Sequence, residues 1–141
     1  MDLGTLGEVN WLAVLAAGAA WFVLGAAWYM APPIAERWQR SGGIEVSHDD
    51  APNPGVFLLT FVAYLIAAAV TAMLAAATGV TSVGAGAFLG FAVGVGYALT
   101  GAAVATVYDR KPEPLTWFWI NAVFNVVGLT VVGAVIGAFA G

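Results

Sequence analysis

Four long stretches of the chain carry no Asp, Glu, Lys, Arg or His and no regular alternation of apolar and polar positions. They run approximately from Trp11 to Met30, Val56 to Thr78, Ser82 to Val107 and Trp117 to Ala140. Each is long enough to cross a hydrocarbon layer of about 30 Å, which takes roughly 20 helical residues. A backbone in lipid must satisfy its own hydrogen bonds, and continuous runs of this length do so as helices rather than as the ten-residue alternating strands of a barrel. The pattern therefore predicts an all-α polytopic membrane protein. Its four transmembrane helices form one bundle over residues 1–141, with cytoplasmic loops at about 31–55 and 108–116 and a short interfacial segment after the first helix.

The connections sharpen this picture. Thr5 and Glu8 fit the S/T-x-x-E capping box ahead of the first span. That span lacks a basic leader and exceeds the usual length of a signal-peptide core, so it is read as retained. Pro32 and Pro33 suit the first turn of a new helix. Ile34 to Arg40 then make a turn or two on the membrane surface, with Trp38 in the interface, until Ser41-Gly42-Gly43 breaks the helix. Ser47 to Gly55 reads as a polar loop. Trp11, Trp28, Tyr29, Trp38, Tyr108, Trp117 and Trp119 fall near the span ends, as aromatic belts do. The two hairpins share too little identity to be an internal repeat.

Within the spans, helical wheels at about 100° per residue sort the small and polar positions into faces. On the second span Thr60, Tyr64, Thr71 and Thr78 lie within a ~40° sector. On the third, Gly86, Gly90, Gly94, Tyr97 and Gly101 share roughly 80°, and glycines four apart let helix backbones approach closely. The fourth carries Asn121, Asn125 and Gly128 on one face. Gly133, Gly137 and Gly141 lie about 120 to 200° away from Asn121. That second glycine face predicts contact with another copy of the chain. On the first span Gly18, Trp21, Gly25 and Trp28 share a side, with Asn10 nearly in line, and small-with-large packing is preferred there to ligand stacking.

Composition agrees: 62% of the residues are hydrophobic and 9% charged, against about 25% charged in a soluble domain, and the mean hydropathy is +0.92. The four bases are Arg37, Arg40, Arg110 and Lys111, all in the first and third connections. The positive-inside rule places those loops in the cytoplasm, both termini outside, and the protein in the cell membrane. These bases are the expected lipid-headgroup contacts, together with Trp38. Eight acids against four bases argue against nucleic acid as a partner, and membrane lipids and a second membrane chain are the partners expected. There is no Cys, and no cofactor is expected.

The best polar candidate site is Asn121 with Asn125, neighboured by Tyr64, Tyr97, Asn10, Thr60 and Thr71. Such amides serve either as interhelical glue, worth about 0.6 kcal/mol per bond, or as the lining of a path for a neutral solute. An ionisable residue inside a membrane marks proton-coupled work, and none lies in these spans. Proton-coupled exchange and acid-base catalysis are accordingly disfavoured. Glu45, His48, Asp49 and Asp50 suggest a metal site, but a solvated acidic loop accounts for them better, so no metal is expected. The turn at Asp109 reads the same way. No hydrolase, zinc-protease or phosphate-loop motif is present.

Asn10-Trp11-Leu12-Ala13-Val14 and Phe22-Val23-Leu24-Gly25-Ala26-Ala27-Trp28-Tyr29, with Trp38 beyond, resemble the membrane family DUF1761, whose members open with N-W-L-A-V and F-V-L-G-x-x-W-Y stretches. The resemblance extends over the chain and is strongest in the first span. Many relatives have Ser-Pro and Phe-Gly-Lys before the Trp, where this chain has Met30-Ala31-Pro32-Pro33-Ile34-Ala35-Glu36-Arg37. As a family of unknown function it implies a four-span architecture and supplies no catalytic residues. The function expected is a non-enzymatic membrane protein, homo-oligomeric or an accessory subunit packed through Gly-rich faces. The alternative is a small channel or transporter for a neutral or apolar solute.

Overall fold

The computed structural model describes residues 3–45 and 53–141. His48, Asp49 and Asp50 lie outside the described residues, as does Asp2. Glu45 is exposed, and the described residues hold no cluster of metal-ligating side chains.

A 3-10 turn, Leu3–Gly7, leads to helix α1, Trp11–Met30. The capping box does not form the helix start. Asn10 takes that role, its Oδ1 accepting from Leu12 N at 3.1 Å and Ala13 N at 3.2 Å. Glu8 instead donates its backbone N–H to Thr5 O, closing the 3-10 turn. Helix α2, Pro32–Gly42, starts on its two prolines after an extended Ala31. It runs two residues further than its glycines suggest. Ser41 is fully buried, and a Cβ on Gly42 would collide with the Trp117 ring, so tertiary packing carries the helix on to Gly43. There φ reaches 65°, a left-handed value that suits glycine.

The second span, α3 (Pro54–Thr78), is capped by Asn53 Oδ1 and ended by Gly79 at φ 70°. The third is 26 residues long, Val83–Tyr108. It comprises α4 (Val83–Val93), a π-helical segment Gly94–Leu99, and α5 (Thr100–Tyr108). The fourth, α6 (Pro114–Ala138), opens three residues before the expected Trp117 because Pro114 supplies the first turn. All four spans are long and apolar enough to cross a membrane, and the described residues contain no strand.

Helix α6 organises the bundle by touching α1, α2, α3 and all three parts of the third span. Its most apolar window is 44% buried, while that of the third span is only 11% buried. The third span packs on α6 by backbone approach. Cβ atoms on Gly86, Gly90 and Gly133 would run into the carbonyls of Gly133, Leu129 and Gly86, and one on Gly137 into Ser82 O. This corrects the expectation for Gly133 and Gly137: their face receives the third span of the same chain. Gly94 lies against Val126, whereas Gly101 has nothing within 4 Å and takes no part in the packing. The π segment widens the turn between Gly94 and Gly101 and rotates the latter away from the seam. The spacing of glycines alone does not reveal that.

Candidate functional site

At the last turn of α1, Tyr29 reaches α6, and its hydroxyl donates to Asn121 Oδ1 at 2.7 Å. The Asn121 amide donates to Trp117 O at 2.7 Å, and the Asn125 amide to Asn121 O at 2.8 Å. Both asparagines therefore use the carbonyl four residues earlier in their own helix. One bond crosses to α1. The predicted pair is adjacent, as its one-turn spacing requires.

Around it runs a column of rings. Trp21 stacks on Tyr64 with centroids 4.2 Å apart, and Phe124 is edge-on to Tyr29 at 5.0 Å and tilted against Trp28 at 6.0 Å. Farther along, Tyr29 meets Trp38 at 5.2 Å, and Trp38 stacks on Trp117 at 5.4 Å. Small residues admit the large ones. Gly25 receives Phe124, Gly18 receives Leu65, and Gly128 makes a notch for the Trp21 indole. The indole N–H groups of Trp21, Trp28 and Trp38 are buried without a partner among the described residues. Each forgoes about 1–3 kcal/mol of hydrogen bonding.

Other predicted members lie elsewhere. Asn10 sits at the opposite end of α1, about 28 Å from Tyr29 at 1.5 Å per residue, where it caps the helix. Tyr97 is 79% exposed on the third span. Thr60 and Thr71 donate to Val56 O and Ala67 O in their own helix, as Thr78 does to Leu74 O, so the threonine stripe is internally satisfied. Two cavities among the described residues, one at the Glu8 end of the bundle and one between α1 and α3, are not lined by Asn121 or Asn125. The members that single-sequence reading missed are Tyr29 and Phe124. Tyr29 carries the signal of a belt aromatic, and nothing in the sequence couples it to a residue 92 positions away.

At the basic end, α2 is fastened to the start of α6. Arg40 Nε donates to Glu113 Oε1 at 3.1 Å, Glu113 N donates to Ser41 O at 3.1 Å, and Lys111 Nζ lies 3.4 Å from Asp109 Oδ2 and 4.8 Å above the Trp117 ring. Trp38, expected against lipid, is half-buried on protein rings instead. The apolar side of α2 covers the ends of α1 and α6, leaving Glu36, Arg37 and Arg40 exposed. Arg37 and Arg110 make no ion pair among the described residues.

The site contains amides, phenols and indoles and no carboxylate, imidazole or thiol. It can donate and accept hydrogen bonds but offers no acid-base pair. No curated protein and no solved structure matches the chain. One family does match: over residues 12–137 the chain fits the model of a protein of unknown function, DUF1761, and it belongs to that family.

Proposed function

We propose that this multi-pass membrane protein is a non-catalytic subunit that assembles through the outer face of its third span. Tyr97 carries the reading. It stands near the middle of a 26-residue span, 79% exposed, and its hydroxyl makes no hydrogen bond among the described residues. Facing hydrocarbon, that phenol has nothing to bond. A neighbouring helix supplies an acceptor.

The surroundings support the same reading. Gly101, Val104 and Tyr108 follow Tyr97 at helical spacing, Val104 and Tyr108 are 61% and 83% exposed, and Cβ positions at Gly96 and Gly101 are open. This smooth face accommodates a close helix crossing beside a polar group. Assembly thus rests on a different glycine face from Gly133 and Gly137. A path for solute has less support, since the threonines and asparagines bond their own helices. The basic end of the bundle lies in the cytoplasm on the positive-inside argument, with Arg37 and Arg110 available to lipid headgroups.

The chain has no Cys, so Val104→Cys is a single-site probe in an otherwise unmodified protein. In native membranes a short bifunctional maleimide is expected to join two copies at this position, and native mass spectrometry from mild detergent to find a dimer. Cross-links to a different membrane protein would assign the same face to an accessory role. A monomeric mass with no cross-link at position 104 sinks the proposal.

A further inference from the structure

A second candidate lies at the other end of the bundle, away from all four bases. There the ends of α1, α3 and α6 enclose a cavity of about 180 Å³ that is open on one side. It is slightly larger than the ~150 Å³ cavity known to admit benzene. Its walls are the small side chains of Ala13, Ala72, Ala75, Ala76 and Ala140, with Phe139 at the rim. Its one charged lining group is Glu8, which has no ion-pair or hydrogen-bond partner for its carboxylate among the described residues.

The field in this vestibule is negative. Helices α3 and α6 both end there, bringing the partial negative charge of their C-termini next to the carboxylate. The N-terminus of α1 contributes the opposite sign, and all three ends are capped, by Asn10 Oδ1 on α1 and by the backbone N–H groups of Gly79, Val80, Phe139 and Ala140 on α3 and α6. Two negative ends and the Glu8 carboxylate outweigh the one positive end. No Lys or Arg lies at this end. The vestibule does not continue inward: Ala17, Ala68 and Val132 beneath it are 0% exposed. It is a dead-end pocket, which suits binding and not passage.

We infer that the vestibule binds a compact alkylammonium group. The Glu8 carboxylate supplies the counter-charge, the alanine methyls cover the alkyl skin, and Phe139 offers a ring of the kind that attracts cations. A bare metal ion fits poorly, because hard cations take six or more oxygen ligands and most of this lining is methyl. The same ammonium chemistry occurs in a soluble amine and in an aminophospholipid headgroup.

Tetramethylammonium is the probe, titrated by calorimetry into protein in maltoside micelles and in phosphatidylglycerol nanodiscs. Saturable binding at one per chain is expected. Glu8→Gln, an exposed change, weakens it by about tenfold or more, since the counter-charge is lost. Ala76→Leu, also exposed, fills the wall and weakens it comparably, while 2,2-dimethylpropanol, an uncharged neopentyl alcohol of similar bulk, binds at least about tenfold more weakly. No saturable binding in either medium overturns the proposal, as does unchanged affinity in Glu8→Gln or equal affinity for the neutral alcohol. Phosphatidylethanolamine nanodiscs then identify the source. Loss of probe affinity there, relieved in maltoside, points to the lipid headgroup, and unchanged affinity points to a soluble amine; both outcomes uphold the ammonium site.

Discussion

The Tyr29 hydroxyl and the Asn121 side-chain oxygen, 92 positions apart in sequence, meet at 2.7 Å and join the last turn of α1 to α6. Asn121 is held for this contact by its own amide, which donates back to Trp117 O. Tyr29→Phe removes the donor while keeping the ring against Phe124 and Trp38. A loss of about 0.6 kcal/mol is expected, with about 1.7 kcal/mol as the upper bound for such bonds in membranes. Asn121→Leu is expected to cost a similar amount through the same bond. The double variant separates this contact from general packing: a cycle measured by SDS titration should give a coupling of about 0.6 kcal/mol. Additive losses would show that the two side chains do not act together.

The glycines of the third span divide sharply into two kinds. A Cβ at Gly90 would stand 2.8 Å from the Leu129 carbonyl carbon and closer still to its oxygen, whereas one at Gly101 meets nothing within 4 Å. Backbone cannot yield as a flexible side chain does. Gly90→Ala is therefore expected to destabilise the bundle by about 1–3 kcal/mol, as overpacking does, and Gly86→Ala by a similar amount. Gly101→Ala should leave the stability of the isolated chain within about 0.5 kcal/mol. Thermal unfolding in detergent, followed by tryptophan fluorescence, ranks the three. A Gly101 variant as unstable as the Gly90 variant would contradict the packing described here.

The same glycines mark how far the sequence was legible. Span number and approximate limits follow from length and the placement of charge, because the bilayer imposes one thickness on every helix. The Gly86-Gly90-Gly94 repeat likewise announces a close helix contact. What the wheel cannot state is the partner. Gly133 and Gly137, which the wheel leaves spare for another copy, meet Gly86 and Ser82 within the chain, and the π segment turns Gly101 outward. The asparagine pair is legible from its one-turn spacing, whereas a wheel cannot place Asn10, because angle ignores the length of a helix. Trp38 shows the converse limit, since an amphipathic segment presents the same pattern whether its apolar side meets lipid or protein.

Trp21 and Gly128 form a lock within the aromatic column. Any Cβ at position 128 would overlap the Trp21 indole near its nitrogen, and Trp21 is only 5% exposed. Gly128→Ala should accordingly cost about 1–3 kcal/mol. Combining it with Trp21→Phe shortens the ring where the methyl must fit and also removes an unpartnered indole N–H. The double variant is expected to be more stable than the sum of the two single losses predicts. Strict additivity in thermal unfolding would mean that the alanine is accommodated by backbone movement elsewhere.

Besides the Glu113 N to Ser41 O bond and the Gly42–Trp117 contact, the attachment of α2 to α6 contains an exposed ion pair and a ring stack, and the weights of these two should differ. The side chains of Arg40 and Glu113 are 65% and 41% exposed, so solvent and salt screen their attraction. Exposed pairs of this kind contribute about 0.2–1 kcal/mol, and Glu113→Gln is expected near the lower end, with the difference vanishing at high salt. Trp38 lies between Tyr29 and Trp117, and its truncation exposes rings on both sides. Trp38→Ala should cost about 3 kcal/mol, the lower part of the range for a large aromatic, since the residue is only half-buried. Trp38 is the side chain through which α2 meets the rings of both α1 and α6, so the loss should appear as local release of the segment before the spans unfold. Limited trypsin digestion reads this directly at Arg37 and Arg40, both exposed on α2. Faster cleavage there in Trp38→Ala, with wild-type rates in Glu113→Gln, is the expected result; the reverse order would make the ion pair the principal tie.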